Sequence, residues 1–158
     1  MDRGVRLGVD VGSVRIGVAA SDPEGIMAFP VETVPTGEGD AQRVAAIASD
    51  RNAVTIFVGL PRTLKGEQGA SAAMAQEFAR KVAELTAADV RLVDERFSTT
   101  TASRALAGAG KSSKSQRQII DQAAAVVILE NALDIDRRGN LGTVTTRIPR
   151  EGNDDRSL

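Results

Sequence analysis

The stretch Val54-Thr55-Ile56-Phe57-Val58-Gly59-Leu60, halted by Pro61, constrains this chain more than any other. It is a short, continuous apolar run lying between two helical patterns, which is the signature of a strand buried on both faces. Such a strand belongs inside a sheet with helices packed on either side. The search for its partners therefore begins upstream, where the period changes.

From Val5 to Ser21 the residues alternate as in a β-hairpin: Leu7, Val9 and Val11 share one parity, Gly8, Asp10 and Gly12 the other. Gly12 and Ser13 supply the turn, and Ile16, Val18 and Ala20 resume the alternation. A third strand is expected over Ile26 to Val34, then a polar loop over Pro35 to Asp40, then a helix over about Asp40 to Asp50 carrying Val44, Ile47 and Ala48. Beyond Pro61, the stripe Met74, Phe78, Val82 and Leu85 predicts a helix, and Val90 to Asp94 a short strand. A helix over Thr99 to Ala107, with Ser98 at its N-cap and Gly108-Ala109-Gly110 after it, precedes a longer one over about Ser115 to Asp136. The order βββαβαβαα predicts an α/β domain: a mixed sheet with helices on its faces. At 158 residues the chain has the size of one domain. That domain is expected over residues 1–138, with a polar C-terminal segment, partly disordered, over 139–158.

Composition narrows the chemistry. There is no cysteine and no histidine, which removes disulfides, thiolate nucleophiles, Cys/His zinc sites and histidine general bases. Catalysis would have to run on carboxylates, lysine, arginine, hydroxyls or a hard cation. A formal net charge of −1 means that any nucleic-acid contact comes from a local basic patch rather than from bulk charge. With no Tyr or Trp and only Phe29, Phe57, Phe78 and Phe97, a base-stacking platform is poorly supplied. No apolar run approaches the ~20 residues of a membrane span, and Met1-Asp2-Arg3-Gly4 leads straight into a strand without a signal peptide, so a cytoplasmic location is expected.

Three carboxylates sit where carboxylates are costly. Asp10 interrupts an apolar strand, and its same-parity neighbours Gly8 and Gly12 have no side chains, which suggests a cleared space for a ligand or cation. The plainer alternative is an Asp that helps form the adjacent turn. Asp94-Glu95-Arg96 follows the last predicted strand; consecutive residues point to opposite faces, so only one of the two acids can face Asp10, and alternation does not say which. Both could instead serve the dipole of the following helix. Asp121 lies in Ile119-Ile120-Asp121-Gln122-Ala123-Ala124-Ala125, on a helix apolar on nearly every side, where a lone carboxylate costs several kcal/mol unless paired or metal-bound. Arg117, one turn earlier, offers a simple ion pair as the alternative. Converging carboxylates repel one another unless a cation sits among them. In a chain without His or Cys that cation would be Mg²⁺ or Mn²⁺, whose natural chemistry is phosphoryl transfer.

With these motifs in view the chain resembles the YqgF family, also called RuvX, whose members are described as pre-16S rRNA nucleases or Holliday junction resolvases of RNase H-like fold. The resemblance runs from about Val5 to Asp136 and rests on Leu7-Gly8-Val9-Asp10-Val11-Gly12, Val58-Gly59-Leu60-Pro61, Asp94-Glu95-Arg96 and Asp121-Gln122-Ala123-Ala124-Ala125, in order. It implies an RNase H-like fold with a five-stranded mixed sheet, and a metal-binding catalytic triad at Asp10, Glu95 and Asp121. It thus selects Glu95 over Asp94. It also implies a metal-dependent endonuclease, with 5′-end processing of pre-16S rRNA in ribosome biogenesis as the first reading and resolution of branched DNA as the second. Relatives often carry Asn where Thr63 stands, Asp or Asn where Lys65 stands, and Leu-Thr where Phe97-Ser98 stands, which bears on substrate contacts more than on the cation site.

Basic residues flank the acids in sequence: Arg15, Arg62, Lys65, Arg96, Lys111, Lys114 and Arg117 are the candidates for phosphate contacts. A resolvase usually works as a symmetric homodimer making paired cuts, whereas an RNA-processing nuclease need not, and no dimerisation signature is visible. The same residues admit two other readings. Gly8-x-Asp10-x-Gly12-Ser13 also resembles the first phosphate loop of actin-like ATPases and sugar kinases, but 158 residues leave no room for the second domain such proteins need. A non-catalytic RNase H-like module that only binds nucleic acid would have no use for converging negative charge.

Overall fold

The computed structural model describes residues 4–61, 69–94, 114–137, 139 and 145–149, with side chains of the long C-terminal helix described from residue 122 onward. The elements are β1 (Val5–Val11), β2 (Arg15–Ser21), β3 (Ala28–Pro35), α1 (Asp40–Asp50), β4 (Ala53–Leu60), α2 (Ala70–Leu85), β5 (Asp89–Asp94), α3 (Lys114–Arg137) and β6 (Thr145–Arg147). They form one sheet of order β3-β2-β1-β4-β5-β6. The β1–β2–β3 meander is antiparallel, β1, β4 and β5 run parallel, and β6 closes the far edge antiparallel to β5.

The apolar run Val54 to Leu60 falls in β4, between β1 and β5, and residues 55–60 are all buried. One face of the sheet presents Leu7, Val9, Ile16, Val18, Ile56, Val58, Val90 and Leu92 to Val44 and Ile47 of α1 and to Phe78 and Val82 of α2. The other presents Ala19, Phe57 and Val93 to Ala125, Leu129, Ala132 and Leu133 of α3. Helices thus cover both faces, as a strand buried on both sides requires.

Three details differ from the sequence expectation. A sixth strand joins the expected five, held at its polar edge by Arg91 Nη1 donating to Thr145 Oγ1 (3.1 Å) and Arg147 Nε donating to Asp89 (2.8 Å), in a segment too short for alternation to reveal. The third strand starts at Ala28 rather than Ile26. The preceding residues belong to a turn in which the Asp22 carboxylate accepts the backbone N–H groups of Glu24, Ile26 and Met27. On α2, Leu85 ends the helix and is 48% exposed; the buried arc is Ala72, Ala75, Phe78, Ala79, Val82 and Ala83. A search for large residues passes over such an alanine stripe. The helix expected over Thr99 to Ala107 lies outside the described residues. No helix among the described residues is long and apolar enough to cross a membrane.

Candidate active site

The site is fixed by how α3 lies on β1. A Cβ added to Gly8 would stand 2.7 Å from the Ala125 carbonyl oxygen and 2.7 Å from Leu129 Cβ, so the helix rests directly on the strand's backbone. Nearer the start of β1, Gly25 of the β2–β3 turn lies against Arg6 and Leu133, and its carbonyl accepts a 2.9 Å bond from Arg137 Nη1. The C-terminus of α3 therefore covers the beginning of β1, and its N-terminal half covers the end, where Asp10 stands. Two residues of strand advance ~6.7 Å and one helical turn ~5.4 Å. Moving from Gly8 to Asp10 thus matches moving one turn back from Ala125, to position 121.

The glycines of Asp10's own strand parity do not supply the cleared space expected of them. Gly8 does not leave room for a ligand, because α3 fills it. Gly12 is held by its turn: its N–H donates to the Arg15 carbonyl at 2.9 Å, and a Cβ there would stand 2.6 Å from that oxygen. What flanks half-buried Asp10 across the sheet is Gly17, its register partner on β2, and on β4 Gly59, the residue after the Val9–Val58 pair. Neither has a side chain to close the approach.

Strand parity fixes the face of Asp94, the last residue of β5. Asp94 is 8% exposed and shares parity with Val90 and Leu92, which pack in the core beneath α1 and α2; Val93 belongs to the α3 face. Asp94 is therefore not on Asp10's face. Glu95 lies outside the described residues. Residue 121 is in the helical backbone of α3, and its side chain is outside the described ones.

Among the basic candidates, Arg15 shares parity with Gly17 and Ala19, hence Asp10's face, at the same end of the sheet. Lys114 and Arg117 belong to the first turns of α3, with side chains outside the described ones. Arg62, Lys65, Arg96 and Lys111 lie outside the described residues.

Sequence reasoning missed one pair. Thr33 pairs with Gly17, which pairs with Asp10, so the three form a row across β3, β2 and β1. Gln122 Nε2 donates to Thr33 Oγ1 at 2.7 Å, tying α3 to that row. The residues are 89 positions apart. The only signal in sequence was the adjacency of Gln122 to Asp121.

A meander followed by two parallel strands, with a long helix laid across the meander, is the RNase H-like fold. Thermus thermophilus RuvC, solved in complex with a Holliday junction substrate, shares this fold with TM-score 0.57 at 14% identity, over 92% of this chain and 99% of that one. The sequence profile of the RuvX family, described as Holliday junction resolvase, matches residues 4–135, and the chain belongs to that family. A relative from Mycobacteroides abscessus, named as a candidate pre-16S rRNA nuclease, is 54% identical over 140 residues, 86% of this chain and 84% of the relative. Another of the same name, from Rhodococcus opacus, is 50% identical over 150 residues, 90% of this chain and 84% of the relative.

Proposed function

We propose that this protein is a divalent-metal-dependent nuclease that hydrolyses phosphodiester bonds at a site made of Asp10, Glu95 and Asp121, and that its substrate is the 5′ region of pre-16S rRNA. What supports the reading is the seating of α3 on Gly8: one helical turn back from Ala125, position 121 would lie level with Asp10 at the end of β1. Glu95 is preferred to Asp94 because Asp94 takes the parity of the opposite core.

The donor set suits Mg²⁺ or Mn²⁺. It is made of carboxylates alone, in a chain with no imidazole or thiolate, and the register partner of Asp10 on β2 is a glycine. Bound there, a divalent ion would supply an acidified water and charge stabilisation at the leaving oxygen. The chain's own residues do the rest. Asp10 on the rigid sheet fixes one edge of the site, and the end of α3 carrying Asp121 fixes the other. Arg15 stands on the same face to take a neighbouring phosphate, with Arg62, Lys65, Arg96, Lys111, Lys114 and Arg117 as further contacts. A cytoplasmic location fits such a substrate. The family description favours one second reading, cleavage of a Holliday junction, for which paired cuts would need a homodimer.

Digestion of a pre-16S rRNA fragment and of a four-way DNA junction, side by side in Mn²⁺, tests both. Wild type is expected to cut the RNA, and Asp10→Asn to abolish cutting while circular dichroism and urea midpoint stay close to wild type. Undiminished activity in Asp10→Asn would overturn the site, and junction cleavage in place of RNA cleavage would overturn the substrate.

A further inference from the structure

Helix α3 is seated on the sheet by apolar side chains. Its described packing residues on the sheet are Ala125, Leu129, Ala132 and Leu133, with Val126 partly buried beside them. Toward the N-terminus the sheet positions beneath the helix become the row Asp10, Gly17 and Thr33, which offers no hydrocarbon side chain apart from the Thr33 methyl. Over that stretch helix and sheet are tied by the 2.7 Å bond from Gln122 Nε2 to Thr33 Oγ1. A hydrogen bond is directional where apolar packing is not, and this one joins the residue next to Asp121 to the strand row that contains Asp10.

We propose that Thr33 and Gln122 are positioning residues that set the height and rotation of the α3 turn carrying Asp121 over Asp10, and through it the affinity of the site for a divalent cation. The proposal rests on the assignment of Asp10 and Asp121 to the site. Neither Thr33 nor Gln122 touches the reacting atoms. Their effect is to hold the acids at one separation, so that coordination does not have to order a loose helix end.

The test uses the full chain, with Mn²⁺ alone as ligand in calorimetric titration and with cleavage kinetics in parallel. Thr33→Val keeps the shape and removes the acceptor, and Gln122→Met breaks the same bond from the helix side. Each is expected to raise the Mn²⁺ dissociation constant several-fold and to lower kcat ~10-fold, a fraction of what a full 1 Å misplacement costs, with KM for nucleic acid unchanged. Thr33→Ser, which retains the hydroxyl, should restore both. The double variant should lose no more than Thr33→Val alone, because the bond that Gln122→Met removes is already broken there. Asp121→Asn runs as the control. If it abolishes activity while both single variants bind Mn²⁺ and turn over within two-fold of wild type, the positioning role is overturned and the site assignment stands. If Asp121→Asn itself retains full activity, the site assignment falls and the positioning role with it.

Discussion

Gly8→Ala probes the geometry on which the site depends. The added methyl would sit 2.7 Å from both the Ala125 carbonyl oxygen and Leu129 Cβ, and 3.3 Å from Leu129 Cα. Carbon atoms in contact prefer about 3.5–4.0 Å, so α3 must lift by about 1 Å at this turn. All three clashing atoms belong to helix backbone or to a first side-chain carbon, so no rotamer change relieves them. Overpacking of this kind costs ~1–3 kcal/mol, to be read as a lower urea midpoint. The lift occurs one turn from position 121, and a ~1 Å misplacement of catalytic groups costs ~10²-fold in rate. Cleavage of the pre-16S rRNA fragment in Mn²⁺ should therefore fall by one to two orders of magnitude in protein that is still folded by circular dichroism. An unchanged midpoint and an unchanged rate would mean that the helix is not seated on Gly8. A lowered midpoint with an unchanged rate would mean that the height of α3 does not govern the site.

Asp94→Asn should keep at least about a tenth of wild-type activity while Glu95→Gln loses it, the order expected from strand parity; equal loss in both, measured as kcat on the same substrate, would refute the choice between them. Phe57→Ala should cost ~3–5 kcal/mol in urea unfolding, because Phe57 is fully buried on the α3 face, where alanines supply much of the rest of the core. The Glu32 carboxylate is held below its ordinary value of 4.5 by its hydrogen bond from Arg43 and then by that residue's charge, with Nε at 2.7 Å and Nη2 at 2.6 Å. Glu32 therefore stabilises the fold above its unfolded-state pKa, and the contribution is lost as pH falls through the depressed folded value. The pair is well exposed, so Glu32→Gln should lower stability by less than ~1 kcal/mol at pH 7, and the difference from wild type should vanish in urea titrations below the usual carboxylate range.

The sheet was legible because its strands carry strong periodicity. Val54 to Leu60 could only be an interior strand, and Leu7, Val9, Ile16 and Val18 alternate as the hairpin requires. Asp10 stood out as a charge within an apolar strand, between glycines of its own parity. The role of Gly8 was not legible, because a missing side chain looks the same in sequence whether a ligand or a helix takes its place. Ile26 and Met27 have strand-like character, yet the Asp22 carboxylate captures their N–H groups and bends them into a turn. Leu85 fell on the expected stripe of α2, but alanines do most of the packing there. Thr33 and Gln122 were invisible, since nothing local announces a hydrogen bond across 89 residues.

The two faces of the sheet divide the labour unequally. Beneath α1 and α2 the sheet presents Leu, Ile and Val side chains, the helices answer with Val44, Ile47, Phe78 and Val82 interleaved with alanines, and this larger cluster supplies most of the apolar burial among the described residues. Beneath α3, among the described residues, the sheet offers Gly8, Gly17 and Ala19 and the helix replies with Ala125 and Ala132, while Phe57, Val93, Leu129 and Leu133 add bulk. Small residues give little hydrophobic stabilisation but let backbone approach backbone closely. On the proposed assignment, a closely seated helix is what would bring the acid at position 121 level with the one on β1. Enlarging side chains on this face, which would strengthen an ordinary core, should therefore separate the acids and weaken the site. Stability gained by repacking beneath α1 and α2 should leave it intact.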